Sequence, residues 1–169
     1  FMARFVGDLG ATFHAGMVVI GERLGLYKAL AEGPQTSAEL AANTGTDERY
    51  VREWLASQAA GGYAEYDPES RRFSLSEEQA FALATEGSPA YIPGAFELAT
   101  SALKAVPKMV DAFRTGAGLG WHEHDPGLFH GTEKFFRPGY AANLVNAWLP
   151  ALDAVTDKLQ VHQVRRGES

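Results

Sequence analysis

Between Thr36 and Gln79 the sequence changes direction so often that only short elements fit. Thr36 and Glu39 form a capping box ahead of Leu40, and Gly45 supplies a stop, which predicts a short helix. Thr46 is placed to cap a second helix, Asp47 and Glu48 suit its positive end, and Tyr50, Val51, Trp54 and Leu55 share one face. Gly61 and Gly62 end it. The stretch YAEYDPESRRFSLS then alternates about an Asp67-Pro68 turn, with Tyr63 and Tyr66 before it and Phe73 and Leu75 after it, the pattern of a hairpin. Ser76 and Gln79 open another helix. Helix, helix and hairpin, joined this tightly, describe a winged helix-turn-helix with a short β-hairpin wing.

The flanks read as helix, so the fold class is mainly α. From Phe5 onward, Leu9, Phe13, Met17, Ile20 and Leu24 recur at helical spacing. Gly7, Gly10, Gly16, Gly21 and Gly25 fall in the same stretch, and each costs about 1 kcal/mol against alanine in a helix. A closely approaching helix is the expected compensation. After EGSPAYIPG, helical spacing returns, with Pro107 starting a second helix or kinking the first, and with breaks expected at Pro138 and Pro150. We place the boundary between the winged-helix part and the later helices at 86, giving regions 1–86 and 87–169.

The 169 residues, 46% of them apolar, suffice for one compact domain or two small ones sharing a core. With no cysteine, disulfides, thiolate metal sites and cysteine nucleophiles are excluded. The absence of a long apolar run predicts no membrane span, and the start FMARFVGDLG lacks the order of a secretory signal, so a cytoplasmic location is expected. Phe1 ahead of Met2 is not the order of a natural translation start, which suggests residues further upstream.

Charge bears on the winged helix as a DNA reader. Residues 36–86 hold four arginines, Arg49, Arg52, Arg71 and Arg72, against ten acidic residues, and so carry the whole net charge of −6. The helix that would enter a major groove has Asp47, Glu48 and Glu53 against Arg49 and Arg52. Phosphate binding rests on clustered cations, so no nucleic-acid partner is expected.

The segments GERLGLYKALAEGPQTSAELAANTGTDERYVREWLASQAAGGYAEYD and TEKFFRPGYAANLVNAWLPAL, in that order, resemble the N-terminal region of bacterial class I S-adenosylmethionine-dependent methyltransferases. The winged helix alone would suit many regulators. The aromatic run FFRPGYAANLVNAWLPAL after it is the more specific part. The resemblance implies a dimerisation region followed by a helical lid and substrate-pocket region, leading at Gly167 to Ser169 towards a Rossmann-like catalytic domain that these residues do not include. It further implies a homodimer, a small apolar or aromatic acceptor, and S-adenosyl-L-methionine as donor in the full-length protein. Neither D-x-G-x-G nor G-x-G-x-x-G occurs in the chain, and GAGLG at 116–120 follows a helix rather than a strand. This chain alone is therefore expected to hold no cofactor-binding residues and to be inactive. For the acceptor pocket the candidates are Phe96, Trp121, His122, Phe129, Phe136 and Tyr140, whereas Phe135, Leu144 and Trp148 read as core.

The stretch GLGWHEHDPGLFHG, 118–131, carries His122, His124 and His130. With Asp125 these histidines invite a metal reading, but a loop bounded by Gly120, Pro126, Gly127 and Gly131 lacks the rigid scaffold that three ligands need, and no metal site is assigned. Each histidine is instead a candidate general base for deprotonating an acceptor hydroxyl. Against that stands a solvated loop pinned by Trp121 and Phe129. His14 and His162 read as ordinary helix residues.

Two other classes fit the same residues: an acidic winged-helix transcriptional regulator or ligand-sensing module, and a pocket protein that binds an apolar ligand without chemistry. Sequence-specific retardation in a low-salt gel shift would favour the regulator.

Overall fold

A computed structural model describes residues 1–152. The expected continuation of the last helix, His162, and the approach to a following strand at 167–169 lie outside the described residues.

The winged helix-turn-helix forms as its punctuation requires. Helix α1 (Met2–Arg23) begins earlier than its apolar spacing indicates and gives way to α2 (Leu26–Ala31) at Gly25, whose φ of 69° is one that L side chains rarely adopt. In α3 (Ser37–Thr44) the capping box is complete, with the Thr36 hydroxyl accepting from the Glu39 amide and the Glu39 carboxylate accepting from the Thr36 amide. Helix α4 (Glu48–Ala60) is capped by Asp47 rather than Thr46. The Asp47 carboxylate accepts from the amides of Arg49 and Tyr50, while the Thr46 hydroxyl is engaged with that of Thr44 at 2.8 Å. The wing pairs β1 (Glu65–Asp67) with β2 (Arg72–Ser74) antiparallel, placing Tyr66 opposite Phe73. Gln35 exchanges backbone hydrogen bonds with Phe73 and so ties the wing to the start of α3.

The core lies inside this module. Leu26, Tyr27 and Leu30 of α2 meet Leu40 of α3 and Val51, Trp54 and Leu55 of α4, with Leu83 of α5 (Glu77–Leu83) closing the cluster. Tyr27 packs edge-on against Trp54 and donates its hydroxyl to the Gln58 side chain at 2.6 Å. Only part of α1 joins this core. Val18 and Gly21 are buried, and a Cβ on Gly21 would lie 2.4 Å from the Trp54 ring, so a large neighbour explains this glycine. Gly7, Gly10 and Gly16 have nothing within 4 Å, and Leu9, Phe13, Ile20 and Leu24 of the expected stripe are exposed.

The second region is helical: α6 (Pro93–Leu103), α7 (Val106–Thr115), a 3₁₀ turn at Trp121–Glu123, α8 (Pro126–Asn143) and a π-helical segment, Leu144–Trp148. Pro107 starts α7, one of its two expected roles. Pro138 does not interrupt α8. It is buried where α8 lies on the rest of the protein, and that packing holds the helix through the missing N–H donor. Helices α6 and α8 cross backbone to backbone at Gly94 and Gly131, since a Cβ on either would come within 2.7 Å of the other helix's main chain. Phe135, Leu144 and Trp148 are not core residues; their exposures are 38%, 37% and 46%, since the buried cluster is built by the winged-helix elements and does not extend to these positions. No helix among the described residues is long and apolar enough to cross a membrane.

Candidate functional site

The histidine stretch is only partly a loop. Asp125 caps α8 by accepting from the Gly127 amide at 2.9 Å, and Pro126 occupies the first helical turn, where its missing N–H costs nothing. Residues 126–131 are therefore helical, which corrects the reading of Pro126, Gly127 and Gly131 as loop boundaries. Gly127 and Gly131 serve close packing, because a Cβ on Gly127 would meet the Ser101 hydroxyl at 2.3 Å. The Lys104 ammonium, 3.0 Å away, together with the Gly127 amide holds the Asp125 carboxyl below its ordinary range.

Among the described residues no three histidine, aspartate or glutamate side chains converge as a metal shell requires. His122 is exposed on the 3₁₀ turn, its ring beside Gly120. His124 is half-buried, with its ring 5.6 Å from that of Trp121 and its Nδ1 buried without a partner. His130 is exposed on α8 and borders a cavity of about 650 Å³.

The six aromatic and histidine candidates for acceptor contact fall into separate groups. Trp121 and Phe129 meet edge-on at 5.2 Å, and His122 belongs to the same turn. Phe136 and Tyr140 line a shallow groove of about 430 Å³ with Thr132 and Arg137 on the outward face of α8. Tyr140 also meets Trp148 edge-on at 5.3 Å, so Phe136, Tyr140, Leu144 and Trp148 form an exposed apolar row at four-residue spacing. Phe96 stands apart. It packs against the winged-helix core and lies 6.2 Å from Tyr63, in a groove between α1 and the end of α4.

Sequence reasoning missed the charged lining of the cavity that His130 borders. There the Lys134 ammonium reaches Glu22 of α1 and Glu97 of α6, each at 2.9 Å, and Glu97 also accepts from Arg23 at 3.1 Å. Burial alone would raise the Glu97 carboxyl, but the hydrogen bonds from Lys134 and Arg23 outweigh it and hold the group below its ordinary value. For Lys134, burial pulls the ammonium down and the two carboxylates more than restore it, so its affinity for the proton is raised. Burial, with the nearby carboxylates, raises the Tyr91 phenol at the same cavity. Lys134 and Glu22 stand 112 positions apart, so no local pattern could have paired them.

Residues 12–85 match the family model of the Rv2258c-like winged HTH domain. A comparison with curated proteins gives no match. Among solved structures, the mitomycin 7-O-methyltransferase MmcR superposes with a TM-score of 0.62 and 22% identity, covering 83% of this chain and 45% of its own. An O-methyltransferase family protein from Burkholderia thailandensis gives 0.64 and 18%, over 84% and 43%. Human N-acetylserotonin methyltransferase in complex with SAM gives 0.63 and 17%, over 90% and 49%. The chain thus spans less than half the length of each, and it has the fold of the N-terminal region of class I O-methyltransferases.

Proposed function

We propose that this chain is the dimerising, acceptor-binding N-terminal region of a cytoplasmic S-adenosylmethionine-dependent methyltransferase that acts on a small apolar or aromatic molecule. The observation that carries the reading is that the likeness to O-methyltransferases runs past the winged helix: it takes in 83% to 90% of the chain, where a shared regulator module would stop near residue 85. The acceptor role rests on the exposed aromatic row of α8. A monomer rarely leaves so much contiguous apolar surface in water without a use for it. The homodimer rests on the first half of α1, where Phe5, Val6, Leu9 and Phe13 are exposed and Gly7 and Gly10 have open space around them among the described residues. The charge of α4 speaks against a groove reader, since Arg52 is paired with Glu48 on its own helix, and we assign no nucleic-acid partner.

The methyl donor has no fit among the described residues, where no glycine-rich turn follows a strand. Its binding is assigned to the part of the parent protein beyond this chain, and no cofactor-binding residue is assigned here. For the base, His130 borders a cavity and His122 and His124 flank the Trp121 turn, so each stays a candidate for taking the acceptor proton.

The test is kinetic, on the full-length enzyme. Phe136→Ala and Tyr140→Ala are expected to raise the acceptor KM about tenfold each, the loss of roughly 1.4 kcal/mol of apolar contact, with the donor KM unchanged. Unchanged acceptor KM in both variants would remove α8 from the acceptor site.

A further inference from the structure

His14 is the first half-buried residue along α1. Its imidazole lies on Gly61 at the end of α4, so close that a Cβ there would come within 2.9 Å of its Cε1, and it meets the Tyr63 ring edge-on at 4.3 Å. The ring forms part of the wall of a groove of about 730 Å³ whose other surfaces include Met17, Tyr63 and Phe96. Its Nε2 is shut off from solvent and has no hydrogen-bond partner among the described residues.

We propose that His14 is a proton-operated latch on this groove: the neutral imidazole seats on Gly61 against Tyr63, and the protonated one leaves, opening the apolar surface beneath it. A neutral ring can leave one nitrogen as an unprotonated acceptor at modest cost, whereas an imidazolium must place a charged N–H at both nitrogens, and burying one without an acceptor is far more costly. Nothing in the wall can take up the charge. Among the described residues the groups facing the ring are Ser57 and Ala60 of α4, Gly61 and Tyr63 after it and Phe96 of α6, and none of these carries a carboxylate. On α1 itself the groove residues are apolar or glycine. Burial accordingly lowers the His14 imidazole from its ordinary value, and no carboxylate among the described residues opposes it.

The sign follows from linkage. The seated state binds the proton less readily than the swung-out state, so the seated form is fully favoured above the ordinary histidine range. Below that range the ratio of open to seated rises by up to about tenfold per pH unit, until the seated ring itself protonates. The Trp54 indole, which donates to the Met17 carbonyl at 2.9 Å within the docked half of α1, reports whether the helix stays in place.

The experiment is a pH titration of the chain between 7.5 and 5, following His14 and Tyr63 ring signals by NMR together with binding of an apolar dye such as ANS. The latch predicts a His14 midpoint below the ordinary value, Tyr63 shifts that follow the same curve, and a rise in dye binding at unchanged helicity and Trp54 emission. His14→Phe, which keeps an aromatic ring against Tyr63 and removes the proton site, should abolish the pH-dependent rise. Titration of His14 at its ordinary value with Tyr63 unmoved would overturn the proposal, and this readout needs no variant to fold. A dye response of equal size in a folded His14→Phe variant would overturn it as well.

Discussion

Gly131→Ala is expected to lower the stability of the chain by about 3 kcal/mol, a severe effect for one added methyl group. The cause is the crossing of α6 and α8. A Cβ at Gly131 would lie 2.4 Å from the Leu98 amide nitrogen and 2.8 Å from the Gly94 carbonyl oxygen, and main-chain atoms cannot rotate aside as a side chain can. The helices would have to separate, and with them the Gly94 contact to the Phe135 amide. Gly139 on the same helix is the control. It has nothing within 4 Å, so Gly139→Ala should leave stability unchanged or raise it by up to about 1 kcal/mol through helix propensity alone. Urea midpoints at constant slope distinguish the two outcomes, and equal effects would mean that the crossing is looser than described.

Lys134→Met is expected to cost a similar amount, about 3 kcal/mol, by stranding two carboxylates. The Glu97 side chain is 9% exposed and that of Glu22 13%, and both would lose the ammonium that bridges them. We take the lower end of the range for a broken buried pair because Lys134 itself is a third exposed and its attraction is partly screened. The effect should depend on pH. Glu97 is depressed in the folded state, so its stabilisation is complete above the ordinary carboxylate range and is lost as pH falls through the folded value. Lys134 is raised, so its contribution is complete below the ordinary lysine range and is lost as pH rises through the folded value. Near neutrality both act in full. In Lys134→Met the acid-induced loss should begin at higher pH, since Arg23 alone then opposes the burial of Glu97. A variant whose stability equals the parent's across the pH range would show that the bridge contributes nothing.

These two sites mark the boundary of what local sequence can reveal. The winged helix was legible because its signals act within a few residues: the Thr36 and Glu39 box, the Gly45 stop and the Asp67-Pro68 turn each set a backbone state without help from afar. The one-residue error at the α4 cap came from two adjacent side chains that could both have served, decided by a hydroxyl pairing between Thr44 and Thr46. Beyond residue 86 the determinants are crossings between distant segments. Gly127 and Gly131 look like loop glycines in sequence, and only the approach of α6 shows why they have no side chain. Pro138 looks like a break, and tertiary packing carries the helix across it. His14 reads as an ordinary helix residue until Gly61 and Tyr63 are brought against it. The aromatic row of α8 could be named from sequence, but its exposure could not, since helical spacing marks a shared face without saying what covers it.

The division of labour proposed for the parent protein is open to direct measurement by calorimetric titration of S-adenosylmethionine into this chain and into the polypeptide extended along its natural coding sequence. The account predicts saturable donor binding by the extended protein and none by residues 1–169. Equal affinity in both, or an extended protein that binds no donor, would contradict it.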